Sequence, residues 1–81
     1  MDQIFNFSAE LKNLAKEQFK LKNFEKAIEL YTTAIDQKDP DDLGSLYANR
    51  SACYYQVKKW PEAFRDAKKC TELEAYWFRG Y

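Results

Sequence analysis

The sequence predicts an all-α protein built from antiparallel helix pairs, and three observations predict this fold class. Apolar residues recur every three or four positions along most of the 81-residue chain, which is the spacing of a helix with one buried face. Short polar or proline-containing breaks separate these stretches, and the strongest strand-like run, residues 54–57, fits the helical period better. A helix–turn–helix unit also occurs twice, with an offset of 36 residues.

The apolar spacing predicts four helices and the beginning of a fifth. Their expected ranges are residues 6–21, 24–37, 43 or 44–57, 61–73 and from 75 onward. Asn23 is a candidate N-cap of the second helix, because its side chain can accept from an unpaired backbone N–H. Pro40 cannot continue a helix and ends the second one, with residues 39–42 as a solvated turn. Pro61 suits the first turn of the fourth helix, where its missing N–H costs nothing.

The duplicated unit aligns residues of similar size. The aligned pairs are Leu11 with Tyr47, Ala15 with Ser51, Phe19 with Tyr55, Phe24 with Trp60, Ala27 with Ala63, Ile28 with Phe64 and Ala34 with Cys70. Small residues in the Ala15/Ser51 and Ala27/Ala63 pairs let the two helices of a hairpin approach closely. Large aromatic side chains supply most of the area that a small core buries. The aromatic residues expected in the core are Phe24, Tyr31, Tyr54, Trp60 and Phe64.

The composition indicates one small domain and argues against an enzyme. Thirteen basic residues balance thirteen acidic ones, which argues against a protein that coats nucleic acid. Histidine is absent, so the commonest general base and metal ligand is missing. Gly44 and Gly80 are the only glycines and form no phosphate-binding loop. We therefore expect no enzymatic activity and no cofactor.

The two cysteines and the chain start bear on the compartment. Cys53 and Cys70 are expected to be buried reduced thiols, with a disulfide as the open alternative. The sequence holds no apolar run long enough to cross a membrane, and its first ten residues lack the basic and apolar regions of a secretory signal. The expected location is the cytoplasm, with the nucleus as the alternative, and neither membrane nor nucleic acid is an expected partner.

The duplicated unit resembles the tetratricopeptide repeat (TPR). The segments FEKAIELYTTAI and LYANRSACYY carry the resemblance, which covers most of the chain. It divides a single domain into a first repeat at about residues 8–40, a second at about 44–75, and a truncated third repeat or capping helix at 76–81. The resemblance implies a right-handed superhelix of antiparallel helix pairs, with two repeats and the start of a third pair. In this family the leading helices of the repeats line a concave groove that binds peptides.

The leading helices are similar to those of TPR domains with a carboxylate clamp. Such domains bind the acidic C-terminal tails of heat-shock chaperones, which end in Glu-Glu-Val-Asp. The predicted contacts to the peptide carboxylate are Lys12, Lys16, Asn49 and Arg79, at the positions that the resemblance implies. Lys16 stands where the family has asparagine, Arg79 stands where it has lysine, and the last basic position lies beyond Tyr81. The residues expected to contact the rest of the peptide are Phe19, Lys20, Ala52 and Tyr55.

Some of these residues have a second interpretation. The lysines at positions 12, 16 and 20 share one helix face and form either a cationic ridge along a groove or an ordinary solvated face. Asn49 binds either a peptide carboxylate or only neighbouring side chains and water. Phe19 and Tyr55 belong either to the core or to the groove. Arg50 is expected to pair with Glu25 or Glu29 on the adjacent helix.

A second class of function is an assembly element. Two repeats are fewer than a solenoid normally needs for stability. An open end that exposes Trp77, Phe78 and Tyr81 would then promote self-association or the docking of a partner protein.

Overall fold

The computed structural model describes residues 8–37 and 43–79, and all regular secondary structure in them is helical. Four helices follow one another: α1 (Ser8–Lys20), α2 (Phe24–Ile35), α3 (Leu43–Gln56) and α4 (Trp60–Arg79). Each helix packs on the next along the chain, so that α1 and α2 form one hairpin, α3 and α4 form a second, and α2 and α3 join them. The predicted all-α class is confirmed, and the described residues contain no strand.

The helix boundaries agree with the predicted ranges except at the C-terminal end. Pro61 lies in the first turn of α4, as expected. The predicted fifth helix from Ala75 is wrong, because α4 continues without a break for 20 residues to Arg79. The segment TELEAYWFR contains neither glycine nor proline, so nothing in it stops the helix. The turn at residues 39–42, including Pro40, lies outside the described residues.

The turn between α1 and α2 has the same backbone geometry as the turn between α3 and α4. Lys22 and Lys58, which are 36 residues apart, adopt left-handed conformations with φ angles of 66° and 64°. The next residue donates its backbone N–H to the carbonyl five positions earlier, Asn23 to Gln18 at 2.8 Å and Lys59 to Tyr54 at 2.9 Å. This is the hydrogen bond that closes a Schellman turn. The duplication seen in the sequence is therefore a duplication of local structure.

Asn23 differs from its predicted role. It occupies the N-cap position of α2 but makes no side-chain capping hydrogen bond. Its amide Nδ2 instead donates to Oε1 of Gln18 at 2.9 Å, across the turn. The Schellman turn already holds the backbone of Asn23, and its side chain points to α1 rather than to the start of α2.

A pair of aromatic rings flanks each turn, one on the helix before it and one on the helix after it. Phe19 and Phe24 meet edge to face with their centroids 5.2 Å apart. Tyr55 and Trp60 occupy the equivalent positions and meet in the same way at 5.0 Å. Such edge-to-face pairs contribute about 0.5–1.5 kcal/mol beyond the area they bury. They fix the two helices of each hairpin at the turn end.

The core lies where α3 packs on the first hairpin. Its fully buried residues are Ala15, Ala27, Tyr31, Ala34, Leu46 and Cys53. The alanines let α1 and α2 approach closely, as their size predicts. In the second hairpin the hydroxyl of Ser51 donates to the carbonyl of Ala63 at 2.7 Å, so the larger polar residue is accommodated by a hydrogen bond.

The predicted aromatic core is only partly correct. Tyr31 is buried, and Phe24 and Tyr54 are half-buried, but Trp60 is 51% exposed and Phe64 is 74% exposed. Trp60 and Phe64 lie on the second hairpin, on a face that no described helix covers. Helical periodicity indicates which face of a helix is apolar, but not whether another helix covers that face.

The two cysteines also differ from each other. Cys53 is fully buried, as predicted, whereas Cys70 is half-buried on α4. The two are not joined by a disulfide. Burial raises the pKa of the Cys53 thiol to about 11.

Candidate peptide-binding cleft

A cleft of about 370 Å³ opens between the two leading helices, with α2 beneath it. The residues that line it are Lys16, Phe19 and Lys20 of α1, Tyr31 of α2, and Asn49 and Ala52 of α3. Phe19 and Ala52 give it apolar surface, and the lysines and the amide give it hydrogen-bond donors. A concave site with a few polar groups over apolar walls is the usual form of a binding pocket.

One wall of the cleft is cationic. Lys16 and Lys20 lie one turn apart on α1, and both are exposed. Lys12 lies one turn earlier on the same face, and its Nζ reaches Oγ of Ser45 on α3 at 3.4 Å. Ser45 precedes Asn49 by four residues, so these two side chains share one face of α3. The lysine face of α1 and the Asn49 face of α3 therefore meet along the same groove.

Tyr31 forms the buried base of the cleft and is hydrogen-bonded to the Asn49 side chain. Its side chain is 2% exposed. Burial is the main reason that the pKa of Tyr31 rises to about 12; the nearby Cys53 raises it further, and the hydrogen bond from Asn49 lowers it. The phenol is therefore neutral near pH 7. One polar group of the Asn49 amide is held by this buried phenol.

The structure brings together most of the residues that the sequence singled out. Five of them line the cleft: Lys16, Phe19, Lys20, Asn49 and Ala52. Lys12 joins the same groove through Ser45. Arg79 is the last residue of α4, and its side chain lies outside the described residues.

Two residues do not match the predicted peptide-binding site. Tyr55 does not line this cleft; it is 61% exposed and lines a second groove between α3 and α4. Tyr31 was expected to serve only the core, yet it also lines the cleft. A signal for it is present in the sequence, because a tyrosine on the buried stripe of a helix needs a hydrogen-bond partner for its hydroxyl.

Arg50, the neighbour of Asn49, has a structural role. The prediction that it pairs with Glu25 or Glu29 is wrong, because it pairs with Asp66 of α4. Its Nε donates to Oδ2 at 2.6 Å and its Nη2 to Oδ1 at 2.9 Å. The hydrogen bond with Asp66 is the main cause that raises the pKa of Arg50 above its usual value.

The Arg50 guanidinium is also held by α2 and by its own helix. Its Nη1 donates to Oγ1 of Thr32 at 3.1 Å. The rings of Tyr47 and Tyr54 lie 5.4 and 5.6 Å from its Cζ. The adjacent polar residues of the segment LYANRSACYY therefore serve different ends: Asn49 faces the cleft, and Arg50 ties three helices together.

The donors of the cleft suit an anionic ligand. Ammonium groups and an amide can donate to a carboxylate, and charge-assisted hydrogen bonds are about twice as strong as neutral ones. Among the described residues no group of three cysteine, histidine or acidic side chains could hold a metal ion. Within the same part of the chain no helix is long and apolar enough to cross a membrane.

The duplicated hairpins and the cleft between their leading helices define a TPR-like helical domain. The chain is similar to segments of three much longer proteins. It is 41% identical to Heat shock protein STI1 of Saccharomyces cerevisiae over 73 residues, which are 89% of this chain and 12% of that protein. It is 40% identical to the Hsp70-Hsp90 organizing protein of Triticum aestivum over 65 residues, 80% of this chain and 11% of the relative.

A third relative is named for protein import into mitochondria and not for heat-shock proteins. The Mitochondrial import receptor subunit TOM70 of Homo sapiens is 38% identical over 65 residues, 76% of this chain and 11% of that protein. The chain thus spans only 11 to 12% of the length of these three relatives. Their names describe a heat shock protein, an Hsp70-Hsp90 organizing protein and an import receptor subunit, and none of the three names an enzymatic activity. No family model and no solved structure matches the chain at a significant level.

Proposed function

We propose that the chain is a protein-interaction module whose cleft binds the acidic C-terminal tail of a heat-shock chaperone. The observation that carries the proposal is that Lys16, Lys20 and the Asn49 amide line one cleft that also has apolar walls. The similarity to proteins named for organising Hsp70 and Hsp90 supports chaperones as the partners.

In the proposed complex, the Asn49 amide and the ammonium groups of Lys12 and Lys16 donate to the terminal carboxylate. Phe19 and Ala52 contact an apolar side chain of the peptide. Arg79, at the end of α4, adds a further positive charge. Lys12 reaches α3 through Ser45, which places its charge on the Asn49 side of the groove.

Lys16 distinguishes this cleft from the clamp that it resembles. An asparagine at this position would both donate and accept hydrogen bonds, whereas lysine only donates and carries a full charge. The cleft should therefore favour ligands with more negative charge near the carboxylate. Its binding should also weaken more steeply with salt, because exposed charges are screened over about 10 Å at 0.1 M ionic strength.

The test is a titration of the chain with a peptide ending in Glu-Glu-Val-Asp and with the same peptide amidated at its C-terminus. We expect the free-acid peptide to bind at least about ten-fold more tightly. We expect Asn49→Ala and Lys12→Ala each to weaken binding by about ten-fold or more, since a hydrogen bond to a charged group contributes about 1.5–3 kcal/mol.

Lys26→Ala is the matched control. Lys26 is exposed on α2, does not line the cleft, and its loss changes the net charge by the same amount. The Lys26→Ala variant should bind the peptide with the same affinity as the unchanged chain. Equal binding of the acid and the amidated peptide would refute the proposal, as would equal losses in Lys26→Ala and Lys12→Ala.

The names of the relatives suggest two kinds of protein in which such a module could occur. Two are named as heat-shock or chaperone-organising proteins, and the third is named as a mitochondrial import receptor. We propose the cytoplasm as the location of this function.

A second candidate function is the docking of a partner protein through exposed apolar surface. The observation that favours it is the exposed face of the second hairpin, where Tyr55, Trp60 and Phe64 are 61%, 51% and 74% exposed. Exposed apolar patches of this kind mark interaction sites. The tip that the sequence suggested for this role, with Trp77, Phe78 and Tyr81, lies outside the residues whose side chains are described.

A further inference from the structure

A third concave surface, of about 400 Å³, lies between α3 and α4 and shares no described lining residue with the peptide cleft. It is unusually cationic for a chain whose formal net charge is zero. Its charged lining residues are Arg50, Arg65, Lys68 and Lys69, with the acidic Asp66 and Glu72. We call this surface the basic groove.

The wall of the basic groove on α4 is a single helix face. Arg65, Lys68, Lys69 and Glu72 follow one another at positions i, i+3, i+4 and i+7, which lie on one side of a helix. All four side chains are exposed. Three of the four are cationic, so this face of α4 offers several donors to one ligand.

Arg50 forms the other wall and is held in a fixed position. Its guanidinium donates twice to Asp66 and once to Thr32, and its side chain is 16% exposed. These bonds use three of its five N–H groups, and the other two can donate to a ligand in the groove. A guanidinium that is already ordered loses little conformational entropy when it binds, and its planar fork fits the oxygens of a phosphate.

The charge of the groove matches a phosphate monoester. Asp66 balances the charge of Arg50, and the three cations on α4 then exceed Glu72 by two charges. A phosphorylated side chain carries a charge of about −1.5 to −2 at pH 7 and three strong acceptor oxygens. A single carboxylate would offset only half of that excess.

This charge is particular to the second hairpin and does not come from the repeat. The first hairpin contains no cation at the equivalent positions. A shift of 36 residues replaces the four cations by Leu14, Glu29, Thr32 and Thr33, and the two acids by Leu30 and Asp36. The basic groove is therefore not needed to build a hairpin of this kind.

A helix that followed α4 as α3 follows α2 would leave the groove accessible. The first hairpin shows this, because α3 is seated on it while Glu29, Thr33 and Asp36 remain exposed. Those three residues are the equivalents of Arg65, Lys69 and Glu72. Continuation of the helical array therefore does not account for what the groove binds.

We propose that the basic groove binds a phosphorylated side chain of a partner protein, with the phosphate between Arg50 and the cationic face of α4. Residues 65–72 span about 10 Å of the helix, so the groove also has room for the residues that flank the phosphate. This site goes beyond the proposed function and does not depend on carboxylate binding in the cleft.

The experiment is an NMR titration of the chain with a short peptide, phosphoserine between two alanines on each side. The peptide is acetylated and amidated, so it offers no terminal carboxylate to the cleft. We expect the backbone amide resonances of residues 65–72 to shift most. The same peptide with glutamate in place of phosphoserine, and inorganic phosphate alone, should each bind at least about five-fold more weakly.

Substitutions on α4 test the role of the charges. Arg65→Gln with Lys69→Gln should weaken binding of the phosphopeptide by about ten-fold or more, because two charge-assisted contacts are lost. Glu72→Gln removes a repelling charge and should strengthen binding by about two- to three-fold.

The control pair Lys26→Gln with Lys59→Gln removes the same charge from two exposed lysines that do not line the groove. This pair should keep the affinity of the unchanged chain to within about two-fold. All the substituted residues are exposed, so circular dichroism should show unchanged helix content.

A cross-comparison separates this site from the cleft. Lys16→Gln should leave binding of the phosphopeptide unchanged, and Arg65→Gln with Lys69→Gln should leave binding of the free-acid Glu-Glu-Val-Asp peptide unchanged. The two proposals can therefore fail independently.

Three results would overturn the inference. The first is binding of the glutamate peptide or of inorganic phosphate as tight as that of the phosphopeptide. The second is an equal loss of affinity in the control pair. The third is a loss in Lys16→Gln as large as in the α4 variant, which would place the phosphate in the cleft.

Discussion

Arg50 of α3 and Asp66 of α4 form a two-point ion pair in the second hairpin, with N–O distances of 2.6 and 2.9 Å. Their side chains are 16% and 5% exposed. The first hairpin has Leu14 and Leu30 at the equivalent positions. The equivalent point of the hairpin is thus a charged pair in one repeat and two leucines in the other, of which Leu14 is 51% exposed.

This relationship predicts a non-additive mutational result. Asp66→Leu alone leaves the Arg50 charge without its carboxylate, and breaking a buried pair in this way costs about 3–5 kcal/mol. The double substitution Arg50→Leu and Asp66→Leu copies the first hairpin and should lie within about 1 kcal/mol of the unchanged chain. Urea unfolding followed by circular dichroism measures both. Equal destabilisation by the single and the double variant would show that the pair cannot be replaced by apolar packing.

The two left-handed lysines predict a gain in stability. A side chain other than glycine at such φ angles costs about 1–2 kcal/mol, part of which is offset by the lower backbone freedom of lysine in the unfolded chain. Lys22→Gly and Lys58→Gly should therefore each raise the free energy of unfolding by about 0.5–1 kcal/mol. Lys26→Gly, inside α2, should lower it by about 1 kcal/mol. Thermal melts of the three variants check both signs, and a loss of stability in the two turn variants would contradict the prediction.

The contact between Tyr31 and Asn49 predicts a selective loss of binding. Tyr31→Phe keeps the ring in the core but removes the hydroxyl that holds the Asn49 amide. We expect the preference for a free-acid over an amidated peptide to fall by about three- to ten-fold, which corresponds to about 0.7–1.4 kcal/mol.

The side-chain NH2 resonances of Asn49 report the contact without any ligand. They should shift in Tyr31→Phe, and Phe19→Leu serves as a comparison that alters the apolar wall and the ring contact with Phe24 but leaves the phenol in place. An unchanged acid preference in Tyr31→Phe would show that Asn49 does not need the phenol, even if the peptide binds in the cleft.

Burial of Tyr31 and Cys53 predicts a loss of stability at alkaline pH. Burial raises the pKa of Cys53 from 9.0 to about 11 and that of Tyr31 from 10.0 to about 12. Above the unfolded values, the unfolded chain releases these protons and the folded chain keeps them, so the free energy of unfolding falls as pH rises. The loss begins near pH 9 with the thiol and near pH 10 with the phenol, and it ends as pH passes each folded value.

Two pKa units on the thiol correspond to about 2–3 kcal/mol. Cys53→Ala should abolish the part of the loss that begins near pH 9 and leave the part due to Tyr31. Urea unfolding at a series of pH values between 7 and 11 measures this. A pH dependence that is the same with and without Cys53 would contradict the assignment.

Prediction from sequence succeeded for features that depend on contacts between residues close together in the chain. Helical spacing placed α1, α2 and α3 to within about two residues, and the repeat offset anticipated the paired turns. It failed for the last helix, because a new helix was predicted from Ala75 although no residue there stops α4, which continues to Arg79. Asn49 could be singled out from its motif, but its contact with Tyr31 could not, because the two lie on different helices.

The amino-acid order by itself determined the helices, their two-fold repetition and the lysine face of α1, since each depends on residues within one or two turns of one another. Tertiary structure alone decided that Arg50 binds Asp66 instead of a glutamate of α2, that Tyr31 supports Asn49, and that Trp60 and Phe64 remain uncovered. These outcomes depend on how the hairpins are rotated against each other and on whether a further helix follows. Neither the periodicity of a single helix nor the identity of its residues specifies that packing.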